Sequence, residues 1–254
     1  MKPLITFFLT VMILAAFSCT GGAPGDGGGR KSKERHAADT GFTGTRSYTK
    51  DGVVVKEVHF SNGIREGLAR TFYRGGVTEQ EITYSDNARN GEAKWFYPDG
   101  KLFRITPYEN DTINGSQVQY YKNGNVKARI NYVNGMRVPG LEEFAMSGAK
   151  ITDYPGVTYR VNDTYDSKGV YKIFIEMTDL SENVKYYRGD FVNGLVDLTV
   201  CTPLLQTATT GYLDMKKTEG AAADSVTVIA AYLTGYGNRL YHRLAIPLPY
   251  SDLN

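Results

Sequence analysis

Apolar and polar residues alternate along most of this chain in short runs, broken by clusters of glycine, asparagine and aspartate. Ala93 to Tyr97 and Leu102 to Tyr108 are two such runs, joined by Pro98-Asp99-Gly100-Lys101. Alternation rich in aromatic and β-branched residues predicts strands, and Asp-Gly between them predicts a hairpin. The pattern then returns on a fixed beat. Gly52, Gly76, Gly100, Gly124 and Gly148 each follow the last by 24 residues. Tyr48, Phe72, Phe96, Tyr120 and Phe144 stand four residues before them, and Phe60, Tyr84, Tyr108 and Tyr132 stand eight residues after the first four. A fixed period of this size predicts a stack of identical supersecondary units. The five glycines are expected at the left-handed position of tight turns.

A second polar connection separates the hairpins, at Asn62 to Gly67, Asp86 to Gly91 and Asn110 to Gly115. Each unit therefore reads as strand, tight turn, strand, longer turn. Five units predict about ten strands in a ribbon roughly 45 Å long. Val58, Ile82, Thr106 and Ile130 share parity with Phe60, Tyr84, Tyr108 and Tyr132, which gathers these residues on one face for cross-strand packing. Phe72, Phe96, Tyr120, Tyr84, Tyr108 and Tyr132 are thus candidates for a packing or a binding face.

At these residues the chain resembles the MORN-repeat variants, built from tandem G-x-x-x-x-[FY]-Y-x-x-G-x-[LV] units. Gly91 to Leu102 (GEAKWFYPDGKL), Gly115 to Val126 (GSQVQYYKNGNV) and Gly67 to Thr78 (GLARTFYRGGVT) carry the resemblance. It implies antiparallel hairpins in an elongated sheet and no catalytic residues; some members bear a YwqK-type antitoxin label. The first unit departs at Thr43, and the last at Pro139-Gly140 and Gly156, as terminal repeats do.

After residue 156 the beat stops but strand patterning continues. Val157–Val161, Tyr171–Thr178, Val184–Phe191, Leu195–Cys201, Thr209–Met215, Ser225–Thr234 and Arg239–Pro247 are seven candidate strands. They suggest a small β-sandwich over 157–254 that covers the open edge of the last hairpin. The expected fold is all-β, with repeats over 43–156 followed by this domain.

The amino terminus adds a different kind of information. Met1-Lys2 and the apolar run Leu4 to Phe17 read as a signal peptide over 1–19 that ends in Ser18-Cys19. Its end resembles a lipobox, which implies acylation of Cys19 and an envelope lipoprotein, expected at the outer membrane. Residues 20–42, glycine-rich and then basic, read as a tether. Loss of the leader removes Lys2 and no acid, so 28 basic residues face 27 acidic ones. That balance gives no concentrated basic face for nucleic acid. Cys201 is then the only remaining thiol and reads as a small buried hydrophobe.

Candidate chemistry is sparse. His36, His59 and His242 lie far apart, without the spacing of metal ligands, and no nucleophile elbow, phosphate loop or calcium loop is present. No metal or cofactor is expected. Glu142-Glu143, Asp190, Asp197 and Asp214 supply carboxylates without specifying an acid–base pair. Asp111-Thr112-Ile113 and Asp224-Ser225-Val226 resemble bacterial O-glycosylation acceptors at Thr112 and Ser225. The reading is a non-catalytic binding or scaffold module for a protein or glycan partner. Its alternatives are an antitoxin-like protein that neutralises a toxin by surface complementarity and an unrecognised enzyme in the second domain.

Overall fold

The computed structural model describes residues 41–219 and 223–254, which belong to one compact unit. The expected leader, Cys19 and most of the tether fall outside the described residues. Eleven strands form the first sheet: β1 (Gly44–Lys50), β2 (Val53–Ser61), β3 (Ile64–Phe72), β4 (Thr78–Ser85), β5 (Ala88–Phe96), β6 (Leu102–Glu109), β7 (Thr112–Ile113), β8 (Gly115–Tyr120), β9 (Val126–Val133), β10 (Met136–Phe144) and β11 (Lys150–Ile151). They pair antiparallel in chain order, with short β7 set beside β6.

Turn chemistry fixes this register. Along one edge of the sheet lie Asn62-Gly63, Asp86-Asn87, Asn110-Asp111 and Asn134-Gly135, every residue at positive φ. These are two-residue type I′ turns, whose twist matches that of the flanking strands and which select Asn, Asp and Gly. The connection expected to be the longer one is therefore the tighter. Its remaining residues belong to the next strand, where the extra length is absorbed in bulges around Gly67, Gly91 and Gly115, at φ +80°, +96° and +109°. Along the other edge, Gly76, Gly100, Gly124 and Gly148 sit at φ between +81° and +93°. Their N–H groups donate to Tyr73, Tyr97, Tyr121 and Ala145 carbonyls at 2.8–2.9 Å, closing three-residue loops. The first hairpin instead turns through Asp51-Gly52, both at positive φ.

Each edge is also laced. Tyr73, Tyr97 and Tyr121 hydroxyls donate to the carbonyls of Phe96, Tyr120 and Phe144 at 2.6–2.9 Å, tying each hairpin to the next. At the opposite edge the N–H groups of Asn87, Asp111 and Gly135 donate to the carbonyls of Arg65, Arg89 and Ile113 at 2.8–3.0 Å. A one-layer ribbon has no second sheet to hold it, so these links between units carry much of its cohesion.

The carboxy-terminal region contains β12 (Val157–Thr164), the one-turn helix α1 (Tyr165–Lys168), β13 (Val170–Met177), β14 (Val184–Arg188), β15 (Thr202–Pro203), β16 (Leu205–Gln206), β17 (Thr210–Lys216), β18 (Ser225–Leu233) and β19 (Arg239–Pro247). Two four-stranded antiparallel sheets result, β12-β13-β17-β16 and β15-β14-β18-β19. Alternate residues Tyr171, Ile173, Ile175 and Met177 from one sheet meet Val226, Val228, Ala230 and Tyr186 from the other in a shared core. Each fully buried aliphatic side chain there contributes about 1.5–3 kcal/mol. Leu195–Cys201 is not the expected strand. Asp197 accepts from the Thr199 N–H at 3.0 Å and its hydroxyl at 2.5 Å, which folds Leu198–Val200 into a 3-10 turn.

One hairpin turn of the sandwich packs directly on the ribbon. Thr234 to Asn238, between β18 and β19, forms the same three-residue loop as the repeats, with Gly237 at φ +85°. It lands on Glu143, which is fully buried. Thr234 Oγ1 and Asn238 Nδ2 donate to Glu143 Oε1 at 2.9 and 2.7 Å, and Tyr154 Oη donates to Oε2 at 3.0 Å. Gln119 Nε2 donates to Asn238 Oδ1 at 2.9 Å. Beside this cluster the half-buried Arg137 donates through Nη2 to the Arg239 carbonyl and lies over the Tyr241 ring, while its own carbonyl accepts from the Val196 N–H. That last bond occupies part of the ribbon edge, and burial pushes the Arg137 pKa down.

Two substitutions test this account. Gly124→Val forces a Cβ into the left-handed region and should cost about 1–2 kcal/mol, whereas Lys122→Ala in the same loop should be nearly neutral. Equal melting temperatures for the two variants would contradict the turn assignment. Glu143→Leu strands three donors and should destabilise by about 3 kcal/mol or more, while Glu143→Gln keeps an acceptor and should cost about 1 kcal/mol. Urea unfolding distinguishes them; leucine tolerated as well as glutamine would contradict the junction.

Candidate functional site

The two faces of the ribbon differ in how their charges are neutralised. On one face, register aligns Ser47, Glu57, Arg70, Glu81 and Lys94, then Ile105, Val118, Arg129 and Glu142. Charges of opposite sign stand next to each other along this row. Arg70 Nε donates to Glu81 at 2.9 Å, and Glu142 takes Lys150 at 2.6 Å with Arg129 at 3.8 Å. Such solvated pairs add little stability each, but they leave the face electrically closed.

The other face carries two rows. Val58, Ala69, Ile82, Ala93, Thr106, Gln117, Ile130 and Leu141 follow one another across the strands. Val58, Ala69, Ala93, Thr106, Gln117 and Ile130 are buried, and Gln117 Nε2 donates to Thr106 Oγ1 at 3.1 Å. Beside it runs Lys56, Thr71, Gln80, Trp95, Arg104, Gln119, Ala128 and Glu143. The sandwich turn occupies the Gln119–Glu143 end of this second row. Its other end holds two cations against aromatic rings: Lys56 Nζ is 5.7 Å from the Tyr48 centroid, and the Arg104 guanidinium lies 4.2 Å over Trp95. Arg104 Nε is buried without a hydrogen-bond partner. Between the two cations, Glu79 sits in a bulge and takes the Thr71 hydroxyl at 3.4 Å.

The second row occupies two structurally equivalent positions of the unit. Positions 56, 80, 104 and 128 hold Lys, Gln, Arg and Ala; positions 71, 95, 119 and 143 hold Thr, Trp, Gln and Glu. The buried row keeps mostly β-branched and small residues at its equivalents. A fold requirement would repeat with the fold, so the unlike chemistry of the second row marks positions that packing leaves free.

The aromatic residues singled out in the sequence divide between roles. Tyr84 and Tyr108 are half-buried and alternate with guanidinium groups: Arg65 lies 4.4 Å from the Tyr84 centroid and Arg89 lies 4.1 Å from that of Tyr108. Arg65 is held by Asn87 and Arg89 by Asp111, whose carboxyl that hydrogen bond keeps below the usual range. Tyr132 is likewise half-buried. Phe96 and Tyr120 lend their carbonyls to the tyrosine lacing, and Phe72, Phe96 and Tyr120 are half-buried beside the turns. Gly52, Gly76, Gly100, Gly124 and Gly148 all adopt positive φ. Thr112 and Ser225 are exposed.

Sequence reasoning missed Tyr73, Tyr97 and Tyr121, although each occupies the invariant tyrosine of the quoted unit pattern. It also missed the paired Arg65-Asn87 and Arg89-Asp111, whose common spacing of 22 residues was available as a signal.

The remaining candidates among the described residues are two histidines, Cys201 and the carboxylates. His59 is exposed and shares a 3.2 Å hydrogen bond with the Thr45 hydroxyl. His242 Nε2 is buried and unpartnered, and burial lowers its pKa, so the neutral ring is favoured. Cys201 is buried with Sγ 3.4 Å from the Asp197 carbonyl oxygen, and burial pushes its thiol up. Asp190 is committed to Arg243, with oxygens at 2.6 and 2.7 Å from the guanidinium. Among the described residues, no three His, Cys, Asp or Glu side chains gather as metal ligands.

No curated protein matches the chain at a significant level. Residues 65–86, 89–110 and 113–134 match the family described as MORN repeat variant, about a quarter of the chain. Each matched stretch starts just after one type I′ turn, or on the strand that leaves it, and ends on the first residue of the next. Residues 65–134 are therefore three MORN-variant repeats, extended by one atypical hairpin before them and another after.

Proposed function

We propose that this protein is a membrane-anchored envelope lipoprotein that works as a non-catalytic binding module through its repeat sheet. One observation carries the binding part. The ribbon closes one face with its own ion pairs and leaves the aromatic and cationic end of the other uncovered, although its own sandwich covers the remainder. Sheets that only hold a protein together have no need of such an asymmetry, and a flat face of this extent suits a macromolecule better than a small substrate. The anchoring part rests on the leader-like run and Ser18-Cys19, with the glycine-rich stretch after them as a spacer. Outer-membrane placement belongs to the same reading. An antitoxin-like role would use the same face and differ only in its partner being a toxin.

Two measurements test the proposal. Cys19→Ala should move the protein from the membrane to the soluble fraction and abolish fatty-acid labelling; unchanged fractionation and labelling would remove the anchor from the reading. Envelope extracts should yield a stoichiometric partner with the intact chain, and Trp95→Ala should lose it while Arg70→Ala on the opposite face retains it. Turnover of a substrate abolished by one histidine or carboxylate substitution, at unchanged melting temperature, would replace binding with catalysis.

A further inference from the structure

The sandwich turn shows what this face accepts. Thr234 to Asn238 is a hairpin loop lying on the second row, and its polar groups match the residues beneath them: donors from Thr234 and Asn238 over the Glu143 carboxyl, and an acceptor, Asn238 Oδ1, over the Gln119 amide. The row continues without interruption through Arg104, Trp95, Gln80 and Thr71 to Lys56. Four strand spacings separate Lys56 from Arg104, a distance of about 19 Å. Along this stretch the chemistry inverts, since the covered end presents a carboxyl and the uncovered end presents cations.

We infer that the Lys56–Arg104 stretch receives an acidic loop of a partner protein, docked beside the chain's own turn in the same manner. This deepens the binding reading above and rests on it. Among the described residues Lys56 and Arg104 make no ion pair, in contrast to Arg70, Lys94, Arg129 and Lys150 on the opposite face. Arg104 keeps a buried Nε–H unsatisfied, and a carboxylate is the acceptor whose geometry suits a guanidinium. Other occupants fit less well. Trp95 offers no free stacking platform for a sugar on the side where Arg104 covers it at 4.2 Å. Two cations about 19 Å apart are too sparse to hold a layer of lipid headgroups.

Selection from a displayed library of cyclic decapeptides against the full chain tests the composition of the occupant directly. The selected pool should be enriched at least three-fold in Asp and Glu, and its members should bind at least ten-fold more weakly to the K56Q/R104Q variant, with Arg70→Gln unchanged. Lys56→Gln alone, at an exposed side chain, should weaken binding about three-fold, which keeps the test valid if Arg104 proves necessary for folding; melting temperatures identify that case. Neutral peptides that are lost on Trp95→Ala but indifferent to both charge variants would overturn the acidic occupant and leave the binding face standing. Peptides indifferent to every substitution on this face, or no selected peptide, would overturn the docking stretch itself. Tighter binding of sulfated dextran or of phosphatidylglycerol vesicles, abolished by the same charge variants, would overturn the protein occupant in favour of a glycan or a membrane.

Discussion

Register is the constraint on which this molecule depends. A one-layer sheet gains little from burial, so it must keep its few apolar side chains opposite one another strand after strand. A slip of one residue would send Val58, Ile82 and Ile130 to the ion-paired face and bring Glu57 and Glu81 among the aromatics. The type I′ turns prevent that slip because only Asn, Asp and Gly enter their positive-φ positions without strain, and all eight positions are filled by these residues. The bulges at Gly67, Gly91 and Gly115 then absorb the residues that the turns leave over. Lacing by Tyr73, Tyr97 and Tyr121 acts on the opposite edge, where each bond also makes use of a carbonyl that a lone hairpin would leave to water.

The division of labour between the faces follows from the same periodicity. Cross-strand partners point to one side, so a 24-residue period writes whole rows at once. One row sets acids beside bases at both ends, with Ile105 and Val118 between, and pairs its own charges. A second packs Val, Ile and Ala. A third varies from Lys56 to Glu143, and that variation lets a single ribbon present different chemistry to its own sandwich and to the outside.

Periodic features were legible in the chain because they repeat local instructions. The glycine beat, the strand parity and the Arg239–Pro247 strand all follow from spacing and turn residues that sit within a few positions of one another. Three things were not. The shorter of the two turns was misjudged because a polar run from Asn62 to Gly67 looks like loop, when only two of its residues turn and the others pair. Leu195–Cys201 alternates like a strand, and one side chain, Asp197, overrides the alternation by capping the next turn. The role of Glu143 depended on a contact with residues more than ninety positions away, which no local pattern encodes. The unlike residues at equivalent positions were visible in the chain, but which of them stay uncovered depends on where the sandwich lands.

That landing place has a consequence for how such a chain can change size. The carboxyl that seats the sandwich is written once, in the last unit: the residues equivalent to Glu143 are Gln119, Trp95 and Thr71, and none of them offers a carboxyl. The cap therefore recognises an end rather than a repeat. Whole units could be gained or lost upstream by duplication or deletion of 24 residues without moving the cap or breaking a turn, each one shifting the far margin of the sheet by about 10 Å. Reach and composition of the exposed row could thus evolve independently of the domain that closes it.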